Sequence, residues 1–196
     1  MQRNQQRMKK TFLYIVIPLL VLQACRDEIK PRFPVKHFHG HDYTFSIKFN
    51  KIRYRFEEKI FDSLMRADTL HHYHKTGYGM YYYYIRKNDS SRYYPQYADK
   101  VTLRYALTEL EGDTIYGFDE IGTKIYTVDK EQYFAGLRNA VKLLKKGEEA
   151  VFMVPSYLGY GYLGDGNRIP SNFPFKLILK IIDIKPNKHK KDEKTR

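Results

Sequence analysis

The chain has 196 residues, 42% of them hydrophobic, so it can bury one sizeable core; one domain per roughly 100–200 residues is the expectation. Its formal charge of +13 is loaded at the ends, on Arg3, Arg7, Lys9 and Lys10 and on the lysine-rich run from Lys185 to Arg196. A nucleic-acid binder carries positive charge on one face of a folded element, interleaved with aromatics. End-loaded charge argues against that class and reads as a targeting segment and a solvated tail.

The first element in chain order is the targeting segment. A basic stretch, MQRNQQRMKK, leads into the apolar run FLYIVIPLLVL, Phe12–Leu22. That run is shorter than the 20 or so residues a bilayer span needs but suits the h-region of a signal peptide. Cys25, the single cysteine, follows at the end of "QAC" and can make no internal disulfide. The arrangement resembles the lipobox of bacterial lipoproteins. The resemblance implies a signal peptide over 1–24, lipidation at Cys25, and a mature protein anchored in a membrane, on its periplasmic side or at the outer membrane of the cell. Two acyl chains plus an N-terminal acyl anchor stably where one is marginal.

Residues 25–48, with two prolines and no sustained period, read as a tether. The next segment, 49–76, reads as a helical extension: Ile52, Phe56, Ile60 and Leu64 fall four apart, with Phe61 and Met65 widening the stripe, which predicts an amphipathic helix packed on the domain behind it. Two histidine groups flank it, His37, His39 and His41 in "HFHGH" and His71, His72 and His74 in "HHYH". Imidazoles at such spacing can ligate zinc or nickel. With no cysteine to complete either set, they read as polar linker, and no metal site is assigned.

From Gly77 to about Lys185 the pattern is that of one α+β domain. The stretch GYGMYYYYIR is rich in a good strand former. VTLRYALT alternates Val101, Leu103, Tyr105 and Leu107 against Thr102, Arg104, Ala106 and Thr108, a half-buried strand. A turn at Glu111-Gly112-Asp113 and a short strand KIYTVD follow. Phe134, Leu137, Val141 and Leu144 then mark a helix over Glu131–Lys145, with Gly147 as its stop. EAVFMVP and FKLILKIIDI are two more strands, the latter placing Phe175, Leu177, Leu179 and Ile181 on one face. An antiparallel sheet with one short helix across it, and a basic tail over 186–196, is the expected plan.

The motifs DKVTLRY, EGDTIY, GLRNAVKLLKKGE, VPSYLGYG and IPSN, in that order and spacing, resemble the FKBP-type peptidyl-prolyl cis-trans isomerases from about Asp99 to Ile184. With the lipobox and the tyrosine-rich strand, the chain is most similar to the gliding motility-associated FKBP-type lipoproteins of Bacteroidetes. The resemblance implies an isomerase (rotamase) of exported proteins at a membrane or cell surface, supporting folding for gliding motility or secretion machinery. It implies a site with Tyr105, Phe134 and Tyr160 as the catalytic groups, the Phe134 N–H and the Tyr160 hydroxyl being donors. Tyr126, Tyr133, Leu137, Ile169 and Leu177 are implied as the substrate-binding wall.

Such chemistry needs no nucleophile, metal or cofactor, only an apolar cavity with a few fixed donors. The implied partners are proline-containing polypeptides and, through the lipid, a membrane; no nucleic acid is expected, and the chain is expected to be a monomer. The alternative is a non-catalytic chaperone or binding module for proline-containing partners. Two positions differ from the family pattern: Leu137 stands where an aromatic floor is usual, and Ile115 and Tyr116 stand where an acid follows an aromatic. These differences imply reduced or narrower activity.

Overall fold

The structure, a computed structural model, describes residues 41–187, with side chains from Ser46 onward. The signal peptide, Cys25, His37 and His39 lie outside the described residues, as does the tail from Lys188. The chain divides into two units, Met1–Thr44 and Phe45–Arg196. The described end of the first, His41–Thr44, is helical; everything below concerns the second.

Helix α1 spans His41–Ala67. No glycine or proline interrupts that stretch, so nothing breaks it until Asp68, whose carboxylate accepts the Leu70 N–H at 3.0 Å. Its start falls inside the segment expected to be tether. Only the C-terminal half of the expected stripe docks. Ile52 and Phe56 are 66% and 63% exposed, whereas Glu57 and Phe61 are buried at 3% and 1%. Phe61 packs with Tyr81 and Met153, and Leu64 and Met65 join that contact. The docked face adds Glu57 to the expected residues Phe61, Leu64 and Met65. It contains a carboxylate, which lowers its apparent hydrophobicity in the sequence.

Seven strands form one sheet, antiparallel at every pairing: β1 (His74–Lys75), β2 (Tyr81–Arg86), β3 (Lys100–Thr108), β4 (Thr114–Tyr116), β5 (Lys124–Thr127), β6 (Glu149–Val154) and β7 (Phe175–Lys185). The order is β1-β2-β6-β7-β3-β4, with β5 also paired to β3. Strand β5 takes Lys100–Leu103 and β4 takes Leu107 and Thr108. The chain between these two partners carries helix α2 (Phe118–Ile121). Val101, Leu103, Tyr105 and Leu107 are buried as their alternation predicts, and so are Phe175, Leu177, Leu179 and Ile181. Ala106 and Thr108 are buried as well.

Helix α3 is shorter than Glu131–Lys145. It runs Ala135–Val141 and buries Gly136, Leu137, Ala140 and Val141. Upstream, the Glu131 carboxylate accepts the Thr127 N–H at 3.0 Å, and Asp129 has φ 57°, so that stretch is a loop. Downstream, Leu143 and Leu144 bond back three residues, to Ala140 and Val141. Gly147 does not cap a helix: with φ +81°, it gives its N–H to the Ile181 carbonyl of β7 at 2.8 Å.

The second histidine group is not free linker. His71 bonds Asp68 at 2.8 Å and stacks on Tyr83 at 3.9 Å between ring centroids, and His74 opens strand β1. Among the described residues no group of three His, Cys, Asp or Glu is placed to hold a metal ion. Among them too, no helix is long and apolar enough to cross a membrane.

Candidate active site

Strand β6 ends at Val154, and Pro155 swings the chain into a single 3-10 turn, Ser156–Leu158. Two glycines then flank Tyr160 for different reasons. A β-carbon at Gly159 would lie 2.5 Å from the Phe175 ring, so this position must stay small. Gly161 has φ +60°, a conformation costly to other residues. Between them Tyr160 is laid on an aromatic cluster. Its ring lies 5.2 Å from that of Phe134 and 6.0 Å from that of Phe175. Phe134 in turn meets Tyr105 edge-on at 6.4 Å and Phe175 at 5.6 Å.

In front of this cluster is an open cleft of about 290 Å³. Tyr105 and Leu107 of β3, Tyr116 at the end of β4, Ile121 of α2 and Tyr160 form its walls, and Glu120, Lys124 and Asp165 complete its lining. All eight residues singled out in the sequence belong to one packed core, but they occupy different depths of it. Tyr105 and Tyr160 line the cleft. Phe134 does not line the cleft but packs behind it against both rings, and among the described residues its N–H has no backbone acceptor. Leu137, Ile169 and Leu177 are fully enclosed, and Tyr126 is too. The Tyr126 hydroxyl is occupied, accepting the Asp129 N–H at 3.1 Å, and its ring meets Tyr133 edge-on at 5.4 Å.

Two groups that the sequence reading did not assign to the site are central to its geometry. Asp165 accepts the Asn167 and Ile169 N–H groups, each at 2.8 Å, and the Tyr116 hydroxyl at 2.5 Å. Burial favours the neutral carboxyl of Asp165, but these three bonds outweigh it and hold its pKa below the ordinary value. Bonding to Asp165 raises the Tyr116 phenol. Arg168 grips Glu120 with two bonds, 2.9 and 2.6 Å, and the Ile115 carbonyl at 2.6 Å. The loop after Tyr160 is thereby fastened to β4 and α2. In the sequence, Tyr116 registered only as a departure from a family pattern.

The Tyr160 phenol is pushed up to about 12, first by burial and then by Tyr105, Asp165 and Tyr116. Burial raises Tyr105 as well. Tyr160 therefore keeps its proton at any physiological pH and can only donate it in a hydrogen bond or accept one. Tyr160→Phe retains the ring and its packing while removing that donor. It is expected to lower kcat/KM by the worth of one hydrogen bond, about 0.5–1.5 kcal/mol, up to tenfold, with thermal stability unchanged. Exchange NMR on an Ala-Pro peptide measures the first quantity and circular dichroism the second.

Comparison with known proteins agrees with this geometry. Residues 92–182 match the family model described as FKBP-type peptidyl-prolyl cis-trans isomerase. A protein of Neisseria meningitidis serogroup B named "Probable FKBP-type peptidyl-prolyl cis-trans isomerase FkpA" is 28% identical over 109 residues, 56% of this chain. The match spans only 39% of that relative's length. Among solved structures, FkpA from Escherichia coli is similar with TM-score 0.55 and 20% identity, over 72% of this chain and 64% of that one. A peptidyl-prolyl cis-trans isomerase from Pseudomonas syringae pv. tomato gives 0.53 and 16%, over 67% and 96%. The N-terminal domain of FKBP42 from Arabidopsis thaliana gives 0.53 and 18%, over 61% and 96%. These structural likenesses establish a shared fold. The segment 92–182, which holds the cleft and the aromatic cluster from Tyr105 to Phe175, is the part of the chain that matches the FKBP-type peptidyl-prolyl cis-trans isomerase model, somewhat under half of its length.

Proposed function

We propose that the cleft between Tyr105 and Tyr160 catalyses cis-trans isomerisation of Xaa-Pro bonds. The observation that carries this reading is the aromatic cluster of Tyr105, Phe134 and Tyr160 at and behind the cleft, with two candidate donors, the Tyr160 hydroxyl and the Phe134 N–H, which has no backbone acceptor among the described residues. Rotation about the bond breaks amide resonance against a barrier of about 18–20 kcal/mol, and unaided it takes tens to hundreds of seconds. Water stabilises the planar, charge-separated amide more than the twisted one. The aromatic and aliphatic side of the cleft, Tyr105, Leu107, Ile121 and Tyr160, lowers the barrier by taking water from the proline ring. Donors fixed where the rotating carbonyl arrives favour the twisted state further. No covalent step, metal or cofactor enters this scheme.

Exchange NMR on Ala-Pro and Leu-Pro peptides tests the reading. Cross-peaks growing faster with protein than in buffer support it. No acceleration beside measurable peptide binding would make the cleft a holding site for proline-containing partners.

The proposal extends to place and clients. The short apolar run before Cys25 and that residue's position support lipidation there, hence action at a membrane or cell surface on exported, proline-containing polypeptides. The resemblance of the full chain to gliding motility lipoproteins supports a role in folding parts of gliding or secretion machinery. Cys25→Ser is expected to abolish incorporation of labelled fatty acid and move the protein out of the membrane fraction. Unchanged labelling in that variant would refute the anchor.

A further inference from the structure

Glu57, on α1, is a carboxylate buried to 3%, and the isomerisation scheme gives it no task. Both its oxygens face one residue. Oε2 accepts the Ser156 N–H at 2.9 Å and Oε1 the Ser156 hydroxyl at 2.5 Å. Ser156, itself 1% exposed, opens the 3-10 turn that leads to Tyr160. Its carbonyl accepts the N–H of Gly159 at 3.1 Å and of Gly161 at 2.9 Å. The two residues flanking Tyr160 thus hang from Ser156, and Ser156 hangs from Glu57.

The far side of the turn is tied to the same helix. The Gly161 carbonyl accepts the Asn172 N–H at 2.7 Å, and the Asn172 side-chain oxygen accepts a bond from Arg53 of α1. Tyr54 adds a ring contact with Tyr157, 4.6 Å between centroids, while the Tyr157 hydroxyl bonds the Tyr78 carbonyl at 2.9 Å. A helix that served only to cover apolar surface would need Phe61 and its neighbours and no buried carboxylate. Burying a charge is costly unless it is fully hydrogen-bonded, and here the compensating bonds all go to the turn that aims Tyr160.

We propose that Glu57 is a positioning residue for the isomerase, fixing the orientation of the Tyr160 turn from behind with the help of Arg53. This rests on the isomerase reading above. Helix α1 is then part of the working enzyme, and removing residues 26–75 would impair turnover as well as stability. A hydroxyl misplaced at the cleft edge lowers the rate of the reaction more than the affinity for the ground state.

The test uses the full chain, with kcat and KM for an Ala-Pro peptide measured alongside thermal unfolding and amide hydrogen exchange. Glu57→Ala is expected to lower kcat about tenfold with KM within about twofold. The Gly159 and Gly161 amides should exchange faster, while those of β3 and β7 keep their protection. Glu57→Gln, which can still bond both Ser156 groups once the hydroxyl reverses direction, should restore most of kcat. Arg53→Ala removes a half-buried side chain from the middle of the helix and should lower kcat about threefold, which keeps the test open if Glu57→Ala does not fold. Unchanged kcat in a folded Glu57→Ala, or in Arg53→Ala where only that variant folds, overturns the proposal while leaving the isomerase reading intact. A wild-type chain without exchange activity overturns the isomerase reading and this proposal together.

Discussion

Phe134→Ala is expected to cost about 3–5 kcal/mol, the usual toll for truncating a core phenylalanine, divided between folding and substrate binding. The ring touches three others, those of Tyr105, Tyr160 and Phe175, so its loss opens a void at the junction of β3, the Tyr160 turn and β7. It is half-buried rather than enclosed, which puts the cost toward the lower end of that range. The backbone N–H survives the substitution, so the proposed donor to the substrate carbonyl remains. KM should therefore rise and the melting temperature fall, by about 2–4 °C for each kcal/mol lost from folding in a chain of this size. Denaturant unfolding and exchange NMR at saturating peptide separate the two shares. A variant with unchanged stability and unchanged KM would mean that Phe134 supports neither the core nor the cleft in front of it.

How much of this was readable from the residues depends on how local the signal was. Strands β3 and β7 were legible because their two faces meet different environments: Leu103 and Leu177 face the core, and Lys176 and Lys180 face outward. Tyr160 was legible because glycines flank it after a strand. Helix α1 was located by its period and Phe61, Leu64 and Met65 dock as expected, but Ile52 and Phe56 stay exposed and the buried Glu57 was missed. A reader of periodicity scores Glu57 as polar and turns that side toward solvent, since the partner that makes the carboxylate acceptable, Ser156, lies 99 residues away. The same distance effect hid Asp165, whose bond to Tyr116 joins positions 49 apart. Helix α3 came out too long because Phe134 and Leu144 keep helical spacing although they lie in loop and turn. Apolar spacing records which residues are buried and says nothing of whether the backbone between them is helical.

Position 137 separates what family pattern implies from what packing allows, and Leu137→Trp is the substitution that decides between them. Pattern alone predicts that an indole here restores an aromatic floor and raises turnover. In the structure Leu137 is wholly enclosed, and the cleft residues do not include it. The core to which Leu137 belongs already holds the fully buried rings of Tyr126, Phe152 and Phe175. The adjacent turn of α3 has no slack, since a β-carbon at Gly136 would lie 2.7 Å from Val154 Cγ1. An indole added to such a core must displace its neighbours, at about 1–3 kcal/mol. The expected result is a lower melting temperature, by several degrees, and no gain in kcat/KM per folded molecule. A Leu137→Trp protein that melts at the wild-type temperature and exchanges proline peptides faster would show that the cleft reaches α3 when substrate enters. In that event the leucine, rather than the depth of the cleft, limits the enzyme.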